Sequence, residues 1–158
     1  MRLYLAQHGL ALAKEADPAR PLSEQGRRDV QRLARLLRDA GVGVPEILHS
    51  GKLRAEQTAL LLAAALRPGS QPRARDGLNP NDPVEPLAAE IAAWTTDTLV
   101  VGHLPFLGRL ASLLLVSDPD RPILGFQPGT LACLERDPAG RWMLAWMIRP
   151  ELIGSTPD

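Results

Sequence analysis

Three histidines, each at the predicted carboxyl end of a β-strand, are the residues of this sequence best placed to do chemistry. His8, His49 and His103 each follow a short apolar run. Ligands of open α/β sheets bind in the crevice outside the carboxyl ends of the strands, where imidazole can act as a nucleophile or exchange protons. Gly9 follows His8 and Gly102 precedes His103, and glycine lets a ligand approach the backbone. The pattern alone leaves structural histidines as the alternative.

Two arginines are predicted at the same end of the sheet. Arg54 lies in the first turn of the helix that follows the second strand, where a cation opposes the helix dipole unless an anion is bound. Arg20 lies in the loop that follows the first strand. The guanidinium fork forms paired, charge-assisted hydrogen bonds with phosphate. Two histidines with two arginines therefore indicate phosphoryl chemistry.

Other chemistries are less well supported by the sequence. The three histidines form no i, i+4 pair and have no neighbouring cysteine pair, so a metal site is not favoured, although three histidines could still assemble in space. No nucleotide-binding loop of the Gly-x-x-x-x-Gly-Lys-Ser/Thr type is present. Cys133 has Ala139, not arginine, six positions on, so it lacks the spacing of a cysteine-based phosphatase loop and is predicted to be a buried strand residue.

Length and composition indicate one domain, residues 1–158. Lysine and arginine total 18, as do aspartate and glutamate, and the zero formal net charge argues against nucleic acid or an anionic membrane as a partner. A single cysteine excludes an intramolecular disulfide and favours a reducing cytoplasm. The longest apolar run, 59–66, is far shorter than the roughly 20 residues of a membrane span.

Strands and helices alternate along most of the chain. The strands are predicted at 3–6, 46–49, 98–101, 130–134 and 142–148, with one more short strand within 71–87. The helices are predicted from Ser23 to Gly41 and at about 52–67, 86–94 and 105–115. This alternation favours a three-layer α/β/α sandwich with a mostly parallel central sheet, and the last two strands favour an antiparallel edge.

Two side-chain patterns predict how elements pack. Leu33, Leu36 and Leu37 fall at helical spacing on one face of the first helix, and the arginines between them are predicted to face solvent. Trp142 and Trp146 are four residues apart and are predicted to pack from the same face of the last strand, because strand side chains alternate with a period of two.

Four segments of the chain resemble motifs of the histidine phosphatase superfamily. Gln7-His8-Gly9 resembles its Arg-His-Gly strand end, and 20–26 resembles its Arg-Pro-Leu-Thr/Ser-x-x-Gly segment. Segment 50–58 resembles Ser-Pro-x-x-Arg-Ala-x-Gln-Thr, and 101–105 resembles the second-histidine motif. The segments occur in the family's order and span nearly the whole chain. The short length is similar to that of the SixA-type phosphohistidine phosphatases, the minimal branch of the superfamily.

The resemblance implies a role for each residue of the predicted site. His8 would attack phosphorus through a ring nitrogen and form a phosphohistidine intermediate, which water would then hydrolyse. Arg54 and Arg20 would hold the phosphoryl oxygens, Gln7 would contribute to binding, and His103 would donate a further hydrogen bond. No metal or cofactor is implied. The implied substrate is phosphohistidine on a signalling protein, or another phosphoramidate.

The sequence departs from the family pattern at two positions. Gln7 stands where the family has arginine, so one positive charge is missing beside His8. That charge would help to keep His8 neutral and nucleophilic. Gln7 therefore leaves open a catalytically weak module that only binds phosphate or phosphohistidine. Gly51 stands where the family usually has proline, which indicates a local change of the loop.

A proton donor for the leaving group is not evident in the sequence. Larger relatives place an acidic donor before the third helix, where this chain has Asp82 and Glu85 as candidates, with solvated loop acids as the alternative. The P–N bond of phosphohistidine demands less of a general acid than an alkyl phosphate ester does. A phosphatase for a small phosphorylated metabolite is the remaining alternative, but so short a chain has little room for an insertion that would cover such a substrate.

Overall fold

The computed structural model describes residues 1–154. Its strands are β1 Arg2–Gln7, β2 Glu46–His49, β3 Arg73–Ala74, β4 Thr98–Gly102, β5 Leu131–Arg136 and β6 Trp142–Ile148. Its helices are α1 Glu24–Asp39, α2 Leu53–Leu66, α3 Glu85–Ile91 and α4 Phe106–Val116, followed by a 3₁₀ turn at Pro150–Leu152. The predicted elements are all present, and their ends differ from the predictions by a few residues at most.

The strands form one mixed sheet in the order β3-β2-β4-β1-β5-β6. The four strands from β3 to β1 are parallel, whereas β5 and β6 are antiparallel to their neighbours. Apolar side chains of α1 and α2 pack on one face of the sheet, and those of α3 and α4 pack on the other. The predicted three-layer α/β/α sandwich with a mostly parallel sheet and an antiparallel edge is confirmed. None of the helices within residues 1–154 is long and apolar enough to cross a membrane.

Alternation along β1 divides its side chains between the two layers. Tyr4 and Ala6 pack toward α1 and α2, whereas Leu3 and Leu5 pack toward α3 and α4. All four are almost fully buried. Because β1 lies inside the sheet and is covered on both faces, it reads as an unbroken apolar run in the sequence.

Helix α1 begins and ends where the sequence predicts, but one of its buried positions differs. The Ser23 hydroxyl accepts a hydrogen bond from the Gly26 amide and caps the first turn. Leu33 and Leu37 are buried as predicted, whereas Leu36 is exposed and Ala34 faces the core instead. The prediction for Leu36 was wrong because the buried stripe of α1 follows the 30, 33, 34, 37 spacing, which leaves position 36 at its edge.

The two tryptophans of β6 pack on opposite faces of the sheet, so the prediction of a shared face was wrong. Trp146 packs against Tyr4 in the α1/α2 layer, and Trp142 packs in the α3/α4 layer. The cause is a β-bulge: Leu144 pairs with Leu134 and Trp146 pairs with Cys133, which leaves Ala145 unpaired. One extra residue reverses the alternation of every side chain beyond it. Cys133 itself is a fully buried strand residue, as predicted.

The helices that follow the adjacent strands β1 and β4 pack on opposite faces of the sheet. Helix α1 follows β1 and covers one face, and α4 follows β4 and covers the other. Gln7 pairs with Gly102 at the end of this strand pair. Open α/β sheets bind ligands at such a switch point, because the two following segments diverge and leave a crevice.

Candidate active site

His8 and His103 lie side by side in the crevice between β1 and β4. Each is the first residue beyond the paired ends of these strands, and the His8 amide donates to the Gly102 carbonyl at 3.0 Å. The ring centroids are 5.0 Å apart. Adjacent strands are separated by about 4.8 Å, so the spacing of the sheet itself brings the two imidazoles together. The structure thus places these two predicted residues at one site.

The backbone fixes which nitrogen of His8 carries its proton. Nδ1 lies 2.7 Å from the Gly9 carbonyl oxygen. A carbonyl oxygen can only accept, so Nδ1 must be the donor. In the neutral ring the lone pair is then on Nε2. Nε2 is therefore the nitrogen available to attack phosphorus.

Both imidazoles are held neutral by their surroundings. Burial, together with the charges of Arg54 and Arg20, lowers the pKa of His8 to about 4. Burial lowers the pKa of His103 to about 3, with further contributions from His8, Arg54, Lys52 and Arg20. Removal from water disfavours a charged ring, and neighbouring cations add to that effect. A neutral His8 keeps the lone pair that a nucleophile needs.

Arg54 and Arg20 lie near enough to each other for their positive charges to interact. Burial lowers the pKa of Arg54, and the positive charge of Arg20 lowers it further. Among the described residues, neither arginine forms an ion pair with an acidic side chain. Like charges brought together in a partly buried place destabilise the fold unless an anion neutralises them. The arrangement suits a phosphoryl group.

The loop that carries Arg20 is held in an uncommon backbone conformation. Arg20 has φ 49°, in the left-handed region, and its Nε donates to the Leu12 carbonyl at 3.1 Å. The Leu22 amide donates to Gln57 Oε1 at 2.8 Å, which ties the same loop to α2. A side-chain-bearing residue in this region costs about 1 kcal/mol or more, and such conformations gather at functional sites.

Thr58 joins the end of β1 to the helix that carries Arg54. Its hydroxyl accepts from the Gly9 amide at 3.0 Å and donates to the Arg54 carbonyl at 2.8 Å. Gly9 has a further reason to be glycine, since a Cβ there would lie 2.8 Å from Val30 Cγ2. The close approach that Gly9 permits is thus to helix α1 rather than to a ligand.

Ser50 fixes the second histidine. Its hydroxyl lies 2.6 Å from His103 Nε2 and accepts from the Lys52 amide at 3.3 Å. A hydroxyl oxygen can accept two hydrogen bonds and donate one, so this contact fits either tautomer of His103; donation by the hydroxyl to Nε2 places the ring proton on Nδ1. His103 Nδ1 is buried and has no partner in the protein. His103 thus keeps one ring nitrogen free to bond a ligand, and that nitrogen is a donor when it carries the ring proton.

Three buried polar atoms of the site lack hydrogen-bond partners: Gln7 Oε1, Arg54 Nε and His103 Nδ1. Outside the site, the described residues contain one other such side-chain atom, Arg32 Nε. Buried polar groups are nearly always satisfied in folded proteins, and their exceptions gather where a ligand or water binds. The unpartnered atoms thus gather where the sequence predicts a phosphoryl group.

Other candidates from the sequence are not part of this cluster. His49 ends β2, and its Nδ1 accepts from the Gly51 amide at 3.1 Å, so it stabilises the turn before α2. Asp82 accepts from the Asn79 amide in a turn, and Glu85 is exposed at the start of α3. No carboxylate of the described residues acts on the pKa of His8 or His103. Within residues 1–154, no three histidine, cysteine or acidic side chains are arranged to hold a metal ion.

Sequence reasoning assigned no role to four residues that shape the site: Ser50, Lys52, Gln57 and Thr58. All four lie in the 50–58 segment, whose likeness to a family motif was the available signal. Ser50, Gln57 and Thr58 form hydrogen bonds with a ring and backbone groups distant in sequence, and the charge of Lys52 lowers the pKa of His103. Such contacts follow from the tertiary fold and leave no periodic trace in the sequence.

Comparisons with known proteins agree with this geometry. The family model of the histidine phosphatase superfamily (branch 1) matches residues 3–82. An uncharacterized protein of Picosynechococcus sp. is 36% identical over 122 residues, covering 72% of this chain and 73% of the relative. Phosphohistidine phosphatase SixA of Escherichia coli strain K12 is 28% identical over 155 residues, covering 95% and 94%.

A solved structure gives the same result for the fold. The protein histidine phosphatase SixA in complex with tungstate matches with a TM-score of 0.83 and 28% identity, covering 95% of this chain and 97% of the other. The match includes the antiparallel edge as well as the parallel core, because it extends over nearly all of both chains. By its sequence and its fold, this chain belongs to the histidine phosphatase superfamily.

Proposed function

We propose that this protein is a phosphohistidine phosphatase that removes the phosphoryl group from histidine on a signalling protein through an intermediate on His8. The observation that carries the proposal is the fixed tautomer of His8, whose Nδ1 donates to the Gly9 carbonyl and leaves Nε2 unprotonated among Arg54, Arg20 and His103. The likeness to a SixA complex with tungstate supports the choice of ligand, because tungstate is an oxyanion like phosphate.

The first chemical step transfers the phosphoryl group to the enzyme. The lone pair of His8 Nε2 forms a bond to phosphorus while the P–N bond of the substrate breaks. The departing imidazole nitrogen keeps the electron pair and takes up a proton from water. Arg54 and Arg20 stabilise the negative oxygens during the transfer, and His103 Nδ1–H donates to one of them.

The second step releases inorganic phosphate. A water oxygen forms a bond to phosphorus, the Nε2–P bond breaks, and its electrons return to His8. The proton lost by the water passes to the phosphate or to solvent. The ring then regains its starting tautomer, because the Gly9 carbonyl has held the Nδ1 proton throughout.

The surroundings of the site favour a P–N bond over an ester as the bond that breaks. No carboxylate of the described residues acts on the pKa of His8 or His103. Asp82 is engaged in a turn and Glu85 is exposed, so we assign neither as a proton donor for an alkoxide leaving group. Imidazole is a better leaving group and makes less demand on a general acid. The named activity of Escherichia coli SixA supports the same substrate class for this chain.

One observation favours a second candidate function, a module that binds phosphate or phosphohistidine with little turnover. Gln7 is buried at the site, and its Oε1 has no hydrogen-bond partner. A neutral amide stabilises the charge of a phosphoryl transition state less than a guanidinium does. Binding without turnover would then be the outcome. The cytoplasm, which the single cysteine favours, is the compartment we propose for either function.

Turnover of free phosphohistidine tests the proposal directly. We expect wild-type protein to release inorganic phosphate and to retain a labelled phosphoryl group when it is quenched in alkali, under which phosphohistidine survives. His8→Ala should do neither, with an unchanged fold by circular dichroism. Equal labelling of both proteins would refute the assignment of His8. Tight phosphate binding by wild type without turnover would establish the binding module instead.

A further inference from the structure

Two consecutive residues of α2, Gln57 and Thr58, each hold a different segment of the candidate active site. Thr58 bonds the Gly9 amide, which lies 49 residues away just beyond β1. Gln57 bonds the Leu22 amide, which lies 35 residues away in the loop that carries Arg20. Neither bond is needed to form the helix itself, so both bear on how the site is assembled.

The partners of the Thr58 hydroxyl determine the direction of both its hydrogen bonds. An amide N–H can only donate, and a carbonyl oxygen can only accept. The hydroxyl therefore accepts from the Gly9 amide at 3.0 Å and donates its one hydrogen to the Arg54 carbonyl at 2.8 Å. Thr58 is 1% exposed and Gly9 is also buried, so bulk water does not compete for either bond.

Gly9 connects this hydroxyl to the proposed nucleophile. Its amide bonds Thr58, and its carbonyl accepts from His8 Nδ1 at 2.7 Å. Gly9 also packs closely against α1, where an added Cβ would lie 2.8 Å from Val30 Cγ2 and 3.1 Å from the Gly26 carbonyl oxygen. Packing against α1 and the bond to α2 together restrict where the Gly9 carbonyl can lie.

Loss of the hydroxyl would act on the tautomer of His8. A side chain without it would leave the buried Gly9 amide unsatisfied, and that is costly enough to favour a shift of the segment. Such a shift would move the carbonyl that keeps the proton of His8 on Nδ1. A neutral ring released from this carbonyl can carry its proton on Nε2, where no lone pair then remains for attack on phosphorus.

The contact of Gln57 acts on the other side of the site. Its Oε1 accepts from the Leu22 amide at 2.8 Å, two residues beyond Arg20. The left-handed backbone of Arg20, with φ 49°, persists only where surrounding contacts hold it. Loss of the Gln57 bond would therefore loosen a guanidinium that we assign to the phosphoryl oxygens. The bond does not involve Gly9 or His8.

We propose that Thr58 is a positioning residue that keeps His8 in its reactive tautomer through Gly9, whereas the adjacent Gln57 positions Arg20 for anion binding. This inference rests on the proposed function and adds separate roles for two neighbours on α2. Position 58 bears on the chemical step, and position 57 bears on binding. Both side chains act through backbone amides, and we assign neither a contact with the phosphoryl group.

Two substitutions of Thr58 test its role. Thr58→Val has nearly the same shape but no hydroxyl, and it should lower kcat for free phosphohistidine by about tenfold or more, because an unsatisfied buried amide costs that much. In the free variant, the ¹⁵N chemical shift of His8 Nε2 should move toward that of a protonated nitrogen. Inhibition by inorganic phosphate should stay within about threefold of wild type. Thr58→Ser keeps the hydroxyl and should restore most of both losses.

Gln57→Met tests the neighbouring position. It removes the acceptor of the Leu22 amide, so inhibition by inorganic phosphate should weaken by about threefold to tenfold, the worth of one neutral hydrogen bond. The kcat and the ¹⁵N shifts of His8 should remain close to those of wild type.

Thr98→Val is the matched control. Thr98 is also an almost fully buried threonine whose hydroxyl donates to a backbone carbonyl, but it begins β4 at the opposite end of the sheet. Its substitution should change neither kcat nor the His8 shifts. Thr58→Ala is a second variant without the hydroxyl and should move the His8 shifts in the same direction as Thr58→Val, so the test does not depend on the folding of one variant.

Several outcomes would overturn the inference. A loss of kcat in Thr58→Val with unchanged His8 shifts would show that Thr58 acts on stability alone. Equal effects of Thr58→Val and Thr58→Ser, or an equal movement of the His8 shifts in Gln57→Met, would also contradict it. If wild type leaves free phosphohistidine intact, the proposed function fails, whereas the His8 shifts need no substrate and still decide whether Thr58 positions the ring.

Discussion

The ends of β1 and β2 each carry a buried histidine, yet the two rings have different relations to the backbone. His8 Nδ1 faces the Gly9 carbonyl, and His49 Nδ1 faces the Gly51 amide. The carbonyl requires a protonated Nδ1 and leaves the Nε2 lone pair free, whereas the amide occupies the Nδ1 lone pair and leaves the neutral ring protonated on Nε2. A strand-end position alone does not make a nucleophile, because the adjacent backbone group determines which ring nitrogen is free.

The charges beside the two rings also differ. Burial lowers the pKa of both, but Arg54 and Arg20 lower the pKa of His8 further, whereas Glu56 raises that of His49. Cations near His8 favour its neutral form and also attract an anionic substrate. His49 lies beside an acid, which would repel a phosphoryl group. The end of β1 is thus suited to phosphoryl transfer and the end of β2 to holding a turn.

The largest expected effect separates these two histidines. His8→Asn removes the proposed nucleophile, so turnover of phosphohistidine should fall by roughly a thousandfold or more, as it does when nucleophiles are removed from other enzymes. His49→Asn keeps an oxygen that can accept from the Gly51 amide, so turnover should remain within about threefold of wild type. Phosphate release by each variant measures both effects. Comparable losses in the two variants would remove the basis of the comparison.

Much of the fold and part of the site could be predicted from the sequence. Apolar runs locate the strands, and the strand ends locate His8 and His103, because parallel strands place their carboxyl ends together. The roles of Ser50 and Thr58 could not be predicted, since their partners are distant in sequence and come close only in the folded chain. Which face Trp146 occupies could not be predicted either, because the bulge at Ala145 depends on how β6 pairs with β5.

The second effect concerns pH, because His8 should stay neutral well below the usual pKa of histidine. The unfolded chain protonates its histidines near pH 6.5, whereas His8 in the folded protein has a pKa of about 4. As pH falls through this window the unfolded state takes up a proton that the folded state does not, so the free energy of unfolding decreases. Below about pH 4 this contribution stops changing.

Urea unfolding at pH 7 and pH 4.5 measures this linkage. One pKa difference of this size changes the folding equilibrium by up to roughly a hundredfold across the window. Wild type should therefore lose more stability than His8→Asn over the same pH change. An NMR titration should show His8 neutral, with its proton on Nδ1, at pH 6. Equal pH dependence of wild type and variant would show that His8 is not held neutral by the fold.

The third effect is a gain of about tenfold in anion affinity for Gln7→Arg. A hydrogen bond to a charged group is worth about 1.5–3 kcal/mol and a neutral one about 0.5–1.5, and a difference on the order of 1 kcal/mol is close to tenfold. The added charge should also lower the pKa of His8 further. Inhibition by vanadate, measured across pH, reports both the anion affinity and the pKa of His8. Gln71→Arg adds the same charge at an exposed position before β3 and should change neither. If Gln7→Arg binds no tighter, the pocket has adapted to the amide.

The smallest expected effect is at Ser50, which positions His103 without reaching the substrate. Its hydrogen bond to Nε2 is worth about 0.5–1.5 kcal/mol, and only part of that bears on the orientation of the His103 ring, so Ser50→Ala should lower kcat/KM by about threefold. Ser50→Thr keeps the hydroxyl and should restore most of the loss.

Ser112→Ala, at a buried serine of α4, controls for general destabilisation and should leave kcat/KM unchanged. Because the Ser50 hydroxyl bonds His103 Nε2, ¹⁵N chemical shifts of that ring should move in Ser50→Ala and in neither other variant. A loss of activity without that change in the shifts would mean that Ser50 acts on the turn before α2 rather than on His103.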